Sequence, residues 1–512
     1  MGGYGWLWPL RMMNGNPVFL AIDLGAGSGR VMAGEQVGGR LTLEEVHRFQ
    51  TPGVVVGGSL HWDVLAVFQH ILDGLRLATA KYGDRIASVG VDSWGVDHGL
   101  LDSAGRLLGN PYQYRDARNA AAMPEALAVV GGARMFGETG VQSLPYNTVY
   151  QLYAEKLTNA GVLDVAKHLL FLPDLISYWL CGERVQERTI ASTSQLWNPR
   201  TGAWSETLLD ALGLPAGLFQ PVVAPGTRLG TLRPEVREET GMGAVAVVAV
   251  GGHDTASAVA GAPLDPAGGA YMSSGTWSLL GIELEEPMIT ETVREGGYSN
   301  EAGVEGTTRL LKNICGMWLI EQLRADWMRE GDSVGYEELI AEAKQESAFA
   351  SIIDPDDPRF ASPGGMAGKI REACGESGQA IPTTRGAFVR CALESLATKV
   401  AVSFDALRAF SPGPLNSLRV VGGGSRNPFL NQATADALGL PVVAGPSEAT
   451  SLGNLAMQLK AVGILSHRSE ARELISRSVG EEVFAPQDHD RWGEPVERMR
   501  GIIAARNASS AR

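Results

Sequence analysis

Residues 23–30 read Asp23-Leu24-Gly25-Ala26-Gly27-Ser28-Gly29-Arg30, at the end of an apolar run over 18–23. An apolar run that stops at an acid and breaks into alternating glycines predicts a strand entering a tight turn. Strand-like residues follow at 30–35 and 41–49, so the glycines sit in a hairpin. A dinucleotide-binding turn opens a helix instead, and that reading is disfavoured. Glycines let backbone approach a phosphate and aim several N–H donors at it. Ser28 adds a hydroxyl, and Arg30 a forked donor for a terminal phosphate. Asp23 would face a hydrated Mg²⁺ rather than the phosphate itself. The stretch fits an ordinary glycine hairpin with a surface arginine equally well.

Outward from the hairpin, 65–82 has helical spacing, with Leu65, Phe68, Leu72 and Leu75 on one side. A strand over 86–92 turns at Ser93-Trp94-Gly95 into 96–101, and 117–180 is mostly helical in pattern. A buried-type strand over 245–250 breaks at Gly251-Gly252 and enters a small-residue helix at Asp254. The Pro/Gly-rich stretch 261–269 predicts a domain boundary. Beyond it, 270–274, a turn at Gly275 and 276–282 repeat the opening hairpin in outline. Residues 418–421, the turn Gly422-Gly423-Gly424 and a helix over 428–438 then repeat the strand–glycine turn–helix unit. That outline predicts a duplicated α/β unit. The charged, Gly- and Pro-rich stretch 356–377 reads as an irregular surface insertion.

At 512 residues the chain is too long for one hydrophobic core. Its 43 Lys+Arg against 57 Asp+Glu give a net charge of −14, the wrong sign for a general nucleic-acid binder. Any phosphate must therefore be held locally. No apolar stretch reaches the roughly 18 residues of a membrane helix. Residues 1–16 place Arg11 after their apolar patch, the reverse of a signal peptide, so they read as an unstructured leader and the protein as cytoplasmic. Four cysteines without a C-x-x-C pair argue against zinc. Cys374 and Cys391 are close enough in sequence to meet.

Other segments carry chemistry. Ser273-Ser274-Gly275-Thr276-Trp277 offers hydroxyls and a glycine between strands, a second phosphate grip, with Trp277 read as core. Gly422, Gly423 and Gly424 could admit a purine or its ribose against bare backbone, or form a plain loop. Gly251-Gly252-His253-Asp254-Thr255 is the best catalytic candidate. Asp254 at a helix start fits an N-cap and a fixed, ionised base alike. For a polyhydroxy ligand there are the indole of Trp94 and bare backbone of Gly95, Tyr114 to Arg118, Asn313 and His61-Trp62, each with a packing alternative. No G-x-x-x-x-G-K-[ST], H-E-x-x-H or G-x-S-x-G occurs.

In this order the segments resemble the FGGY carbohydrate kinases, from about residue 18 to 462. DLGAGSGRVM at 23–32, YRDAR at 114–118, GHDTASAV at 252–259, YMSSGTWSLLG at 271–281, LKNICGMWL at 311–319 and AGPSEATSLGN at 444–454 resemble the branch that acts on L-rhamnulose. The resemblance implies two actin-like (ribonuclease H-like) α/β domains with an interdomain active-site cleft. With the leader over 1–16 set apart, it further implies an N-terminal domain over 17–262, an ATP-binding domain over 263–480 and a C-terminal extension over 481–512. It assigns Asp254 as base and Ala26, Gly27, Ser28, Gly29, Arg30, Thr276, Gly422, Gly423 and Gly424 to ATP. Gly95, His253, Asp254, Thr255 and Asn313 go to the sugar, and Asp23 to Mg²⁺. The implied reaction is phosphorylation of the 1-hydroxyl of L-rhamnulose by ATP, with no nucleic-acid or membrane partner. Two positions depart from the pattern: Gly27 replaces a hydroxyl residue and Glu321 a glutamine. Other FGGY kinases, acting on L-fuculose, a pentulose or glycerol, and a non-kinase ATPase switch of the same superfamily are the alternatives.

Overall fold

A computed structural model describes residues 15–266 and 268–510. All but the last two residues of the expected leader lie outside them. The chain divides into two compact units that interleave in sequence. Among the described residues, the first comprises those up to Pro263, with Glu283–Leu310 and Ala449–Val479; the second comprises those between Leu264 and Ile282, Leu311–Glu448 and those from Gly480 onward.

The first unit is built on a six-stranded sheet. β1 (Val18–Leu24), β2 (Ser28–Val37) and β3 (Arg40–Gln50) form an antiparallel meander, joined by β4 (Ile86–Ser93), β5 (Thr227–Thr231) and β6 (Ala246–His253) in the order β5-β6-β4-β1-β2-β3. β1 runs parallel to β4, and β4 parallel to β6. All seven residues of β1 and all eight of β4 and of β6 are buried, as strands covered on both faces must be. The helix Val64–Tyr82 packs on this sheet through Val64, Val67, Ile71, Leu72 and Leu75. The apolar stripe is thus rotated from the one predicted: Leu65 is exposed, because Val64 and Val67 take the core side. The helix Ala449–Ala461 lies against the other face, where Gly453 comes so close to Ser257 that a Cβ would sit 1.8 Å from its carbonyl oxygen.

In the second unit β7 (Gly269–Ser274) and β8 (Trp277–Leu284) form an antiparallel hairpin. β7 is parallel to β9 (Ser417–Val421), β9 parallel to β10 (Val442–Ala444), and β10 antiparallel to β11 (Glu482–Phe484). A hairpin whose first strand continues into two parallel neighbours therefore occurs in both units. That is the duplication read from the glycine turns. The stretch 356–377 is not an irregular insertion. It contains the helix Met366–Glu376, whose Met366, Ile370 and Cys374 are fully buried. Their four-residue spacing is a helical stripe that the surrounding glycines and charges obscured.

Candidate active site

Parallel strands deliver their carboxyl ends to one edge of a sheet, where ligands of α/β folds bind. β1, β4 and β6 bring Asp23, Asp92, Ser93 and His253 there, with Asp23 opposite Asp92 and Ser93 opposite His253 in register. The β1–β2 turn leaves Ala26 and Gly27 exposed and Ser28 half-buried. Gly29 is required, since a Cβ there would lie 2.5 Å from two ring atoms of Phe49. Arg30, paired with Asp23 across the hairpin, donates to the Asp23 carboxylate, which also accepts from Ser451 (3.2 Å). The guanidinium expected at a phosphate thus rests on the carboxylate expected at a metal ion. Asp92 is fully buried, accepts from Asn454 (2.6 Å), and keeps Oδ1 without a partner among the described residues. Burial, and then the charge of Asp23, push its carboxyl well above the ordinary range.

At the end of β6 the chain turns into the helix Asp254–Ala260. The N-cap residue is His253, and no side chain caps this helix. Asp254 is its first residue, so the N-cap reading of that carboxylate is set aside. Asp254 Oδ1 accepts from Thr255 Oγ1 (3.1 Å) and lies 3.4 Å from His253 Nε2. The Asp254 side chain is 32% exposed, that of His253 only 9%. Burial raises the Asp254 carboxyl above its ordinary value, His253 opposes this, and Asp23 adds to it.

The loop before Asp254 is fixed by residues that the sequence did not single out. Glu187, 2% exposed, accepts from the backbone of Gly252 (2.9 Å), Thr189 and Ile190, and the Thr189 hydroxyl accepts from His253 N (3.2 Å). A Cβ at Gly252 would lie 2.9 Å from Glu187 Oε2 and one at Gly251 2.9 Å from Ser257 N, which is why both are glycine. Burial raises the Glu187 carboxyl, against those hydrogen bonds. Behind His253, Glu301 Oε2 lies 3.1 Å and Arg309 NH2 3.1 Å from the ring Nδ1.

Gly95 faces the same ring: a Cβ there would be 3.4 Å from His253 Nε2. The next residue, Val96, has φ +69°, a left-handed conformation costly for a β-branched side chain. It is held by Val96 N donating to Thr193 Oγ1 (3.1 Å) and by Thr148 Oγ1 donating to Val96 O (2.7 Å). Trp94 does not cover a ligand. It is 7% exposed, lies tilted against Trp62 (4.3 Å between centroids), and both indoles donate to Asp97 Oδ2. The Trp62 of the His61-Trp62 pair is therefore core. Asp116 caps the helix Ala117–Val130, and Arg118 pairs with Glu155, a structural use of 114–118.

In the second unit the β7–β8 hairpin and the triple glycine meet. A Cβ at Gly422 would lie 2.8 Å from Ser274 O, and one at Gly424 2.0 Å from Ser274 Oγ. Gly423 has open space. Gly316, unremarked in the sequence, donates to Thr276 O (3.1 Å), and Met317 N donates to Gly275 O (2.9 Å). Thr276 is half-buried beside Glu321, whereas Trp277 is 39% exposed rather than core. Asn313, half-buried on the strand Thr308–Cys315, belongs to this second unit and not to that of Gly95, His253, Asp254 and Thr255.

Residues 18–261 match the N-terminal domain of the FGGY family of carbohydrate kinases, and 270–462 its C-terminal domain. The chain belongs to the FGGY family. Among the relatives of this FGGY kinase, a rhamnulokinase of Bacteroides thetaiotaomicron is 47% identical over 474 residues, covering 93% of this chain and 97% of that one. A rhamnulokinase of Bacillus subtilis is 39% identical over 478 residues, 93% and 96% of the two chains. Among solved structures, ligand-bound xylulose kinase from Lactobacillus acidophilus superposes with a TM-score of 0.81 at 16% identity, covering 97% and 99%. Plasmodium falciparum glycerol kinase with ADP gives 0.76 at 17%, covering 96% and 98%. At such identity these two show the fold alone, and it is the two-domain sugar-kinase fold that the resemblance implied. No helix among the described residues is long and apolar enough to cross a membrane.

Proposed function

We propose that this FGGY kinase phosphorylates the 1-hydroxyl of L-rhamnulose, converting L-rhamnulose and ATP to L-rhamnulose 1-phosphate and ADP. The choice of sugar is supported by rhamnulokinases at 39–47% identity over more than nine-tenths of their length. The observation that carries the chemistry is the state of Asp254. It is partly exposed, its Oδ1 accepts from Thr255 Oγ1 and lies 3.4 Å from His253 Nε2, and it follows the N-cap residue rather than occupying that position.

The residues divide the work. Asp254 orients the sugar hydroxyl and takes its proton late, since phosphoryl transfer passes through a loose transition state that needs no prior alkoxide. Positioning supplies most of the acceleration, up to about 7–11 kcal/mol in ideal cases. Gly95, His253, Thr255 and Asn313 bind the sugar. Ala26, Gly27, Ser28, Gly29 and Arg30 hold phosphate oxygens, Thr276 grips the phosphates in the second unit, and Gly422, Gly423 and Gly424 receive the adenosine. Arg30 must leave Asp23 to reach a phosphate, and an incoming anion supplies the reason for that exchange.

Mg²⁺ accompanies ATP in such reactions, where one or two carboxylates plus phosphates and waters hold it. The residues here fit that sparse mode. No group of three His, Cys, Asp or Glu among the described residues is placed as a cage, while Asp23 stands beside the phosphate hairpin. When bound, the ion neutralises charge on the transferring phosphates.

A cytoplasmic location supplies ATP, and the four unpaired cysteines suit a reducing compartment. The test is ADP release with L-rhamnulose, L-fuculose, L-ribulose, D-xylulose and glycerol side by side. L-Rhamnulose should give the highest kcat/KM. Preference for another acceptor overturns the sugar assignment, and ATP turnover that no sugar stimulates overturns the kinase.

A further inference from the structure

The imidazole of His253 is held from both ends inside the first unit. Its Nε2 faces Asp254 Oδ1 at 3.4 Å, and its Nδ1 lies 3.1 Å from both Glu301 Oε2 and Arg309 NH2. Glu301 and Arg309 are themselves paired at 3.0 Å, and Arg309 Nε donates to Ala302 O. The Arg309 side chain is 0% exposed and that of Glu301 8%, so neither reaches a substrate directly.

The chemistry of these groups fixes where the ring proton lies. A guanidinium has only donors and the Asp254 carboxylate facing Nε2 only acceptors, so the neutral ring that answers both accepts from Arg309 at Nδ1 and carries its proton on Nε2. When the ring gains a second proton, Nδ1–H donates to the Glu301 carboxylate, and Nε2 remains protonated. The pair thus answers both states of Nδ1 and keeps an Nε2–H towards Asp254 in each. Burial works to raise the Glu301 carboxyl, but Arg309 and His253 outweigh it and hold it below its ordinary value, so it stays ionised for this role.

We propose that Glu301 and Arg309 are positioning residues for phosphoryl transfer: by holding His253 at Nδ1 they keep Nε2–H on Asp254 Oδ1 and leave Oδ2 to the sugar hydroxyl. The proposal rests on Asp254 as proton acceptor. The hydroxyl proton passes to Asp254, the sugar oxygen bonds to the γ-phosphorus, and the bond to ADP breaks. Glu301 and Arg309 exchange no proton with the substrate. A buried ion pair kept only for stability would leave the catalytic step and its pH dependence unchanged once the protein had folded.

Glu301→Gln keeps the size and removes the charge. With L-rhamnulose and ATP it should lower kcat at least ten-fold while KM for each substrate stays within about two-fold. The acid limb of kcat should also move to higher pH, because a ring no longer held at Nδ1 stabilises the Asp254 carboxylate less well. The charged and titratable groups around Asp254 are His253, Asp23, Asp92 and Tyr114, and around the ring Asp254, Glu301 and Arg309, so only one of these changes. Arg309→Lys should reproduce the fall in kcat, and Glu301→Asp should recover part of it. Folding is checked by melting temperature and by ATP binding. Should the Gln variant not fold, Arg309→Lys and Glu301→Asp are judged by the same readings. Folded variants with kcat and acid limb like the parent overturn the proposal, as does a loss confined to KM. If these variants are silent while Asp254→Asn is inactive, only this inference fails. If Asp254→Asn is active, the assignment of Asp254 fails with it.

Discussion

Thr276 Oγ1 lies 3.2 Å from each carboxylate oxygen of Glu321. The departure noted in the sequence, Glu321 in place of glutamine, therefore sits against the hydroxyl assigned to ATP. The carboxylate occupies that hydroxyl as an acceptor and adds negative charge where phosphate is expected.

Glu321→Gln should relieve both effects. A partly exposed like-charge contact is worth up to about 1 kcal/mol, so KM for ATP should fall about five-fold with kcat little changed. Initial rates at varied ATP check this. An unchanged or higher KM would remove Thr276 and Glu321 from the neighbourhood of the phosphates.

The glycines of the first hairpin should respond in opposite ways. Nothing lies within 4 Å of a Cβ built at Gly27, and its φ is not left-handed. Gly27→Ser should leave the melting temperature unchanged and restore a hydroxyl at the phosphate loop, with KM for ATP equal or lower. Gly29→Ala drives a Cβ into Phe49 and should cost about 1–3 kcal/mol, read as a lower melting temperature.

Asp97 should give stability a pH dependence of definite sign. Burial lifts its carboxyl to about 6, against hydrogen bonds from Trp62, Trp94, Gln151 and Tyr114 N. The unfolded chain releases this proton near the ordinary 3.8, the folded chain at about 6. Between the two the unfolded state binds fewer protons, so this group's contribution is fully present below 3.8 and is lost as pH rises through about 6. The difference between 3.8 and about 6 corresponds to about 3 kcal/mol. Urea unfolding at intervals from pH 4 to 7 should show a falling component that Asp97→Asn lacks. Parallel profiles for the two proteins would contradict it.

Local signals carried the sequence reading. Asp23 to Arg30 and Gly251 to Thr255 combine strand ends, glycines and a polar group within a few residues, and the structure shows why Gly29, Gly251 and Gly252 are needed. What stayed hidden depends on distant partners. Trp94 looks like a sugar-facing indole until Asp97 and Trp62 are seen to enclose it. Glu187, Glu301, Arg309, Ser451 and Asn454 lie far along the chain from the residues they hold, and as single polar residues they resemble solvated surface. Trp277 failed the other way, since size predicts burial but its place at the start of β8 leaves it exposed. The helix Met366–Glu376 was obscured because glycine and charge content outweighed a stripe of three buried residues.

The central claim, that Asp254 holds the sugar hydroxyl and takes its proton, is tested most directly by the rate of the chemical step in Asp254→Asn. L-Rhamnulose and ATP binding are measured on the same protein by calorimetry. Both substrates should bind within a few-fold of the parent, while single-turnover phosphorylation falls at least about 100-fold, the scale of losing an acid–base group. Near-normal turnover with both substrates bound would show that Asp254 merely begins a helix.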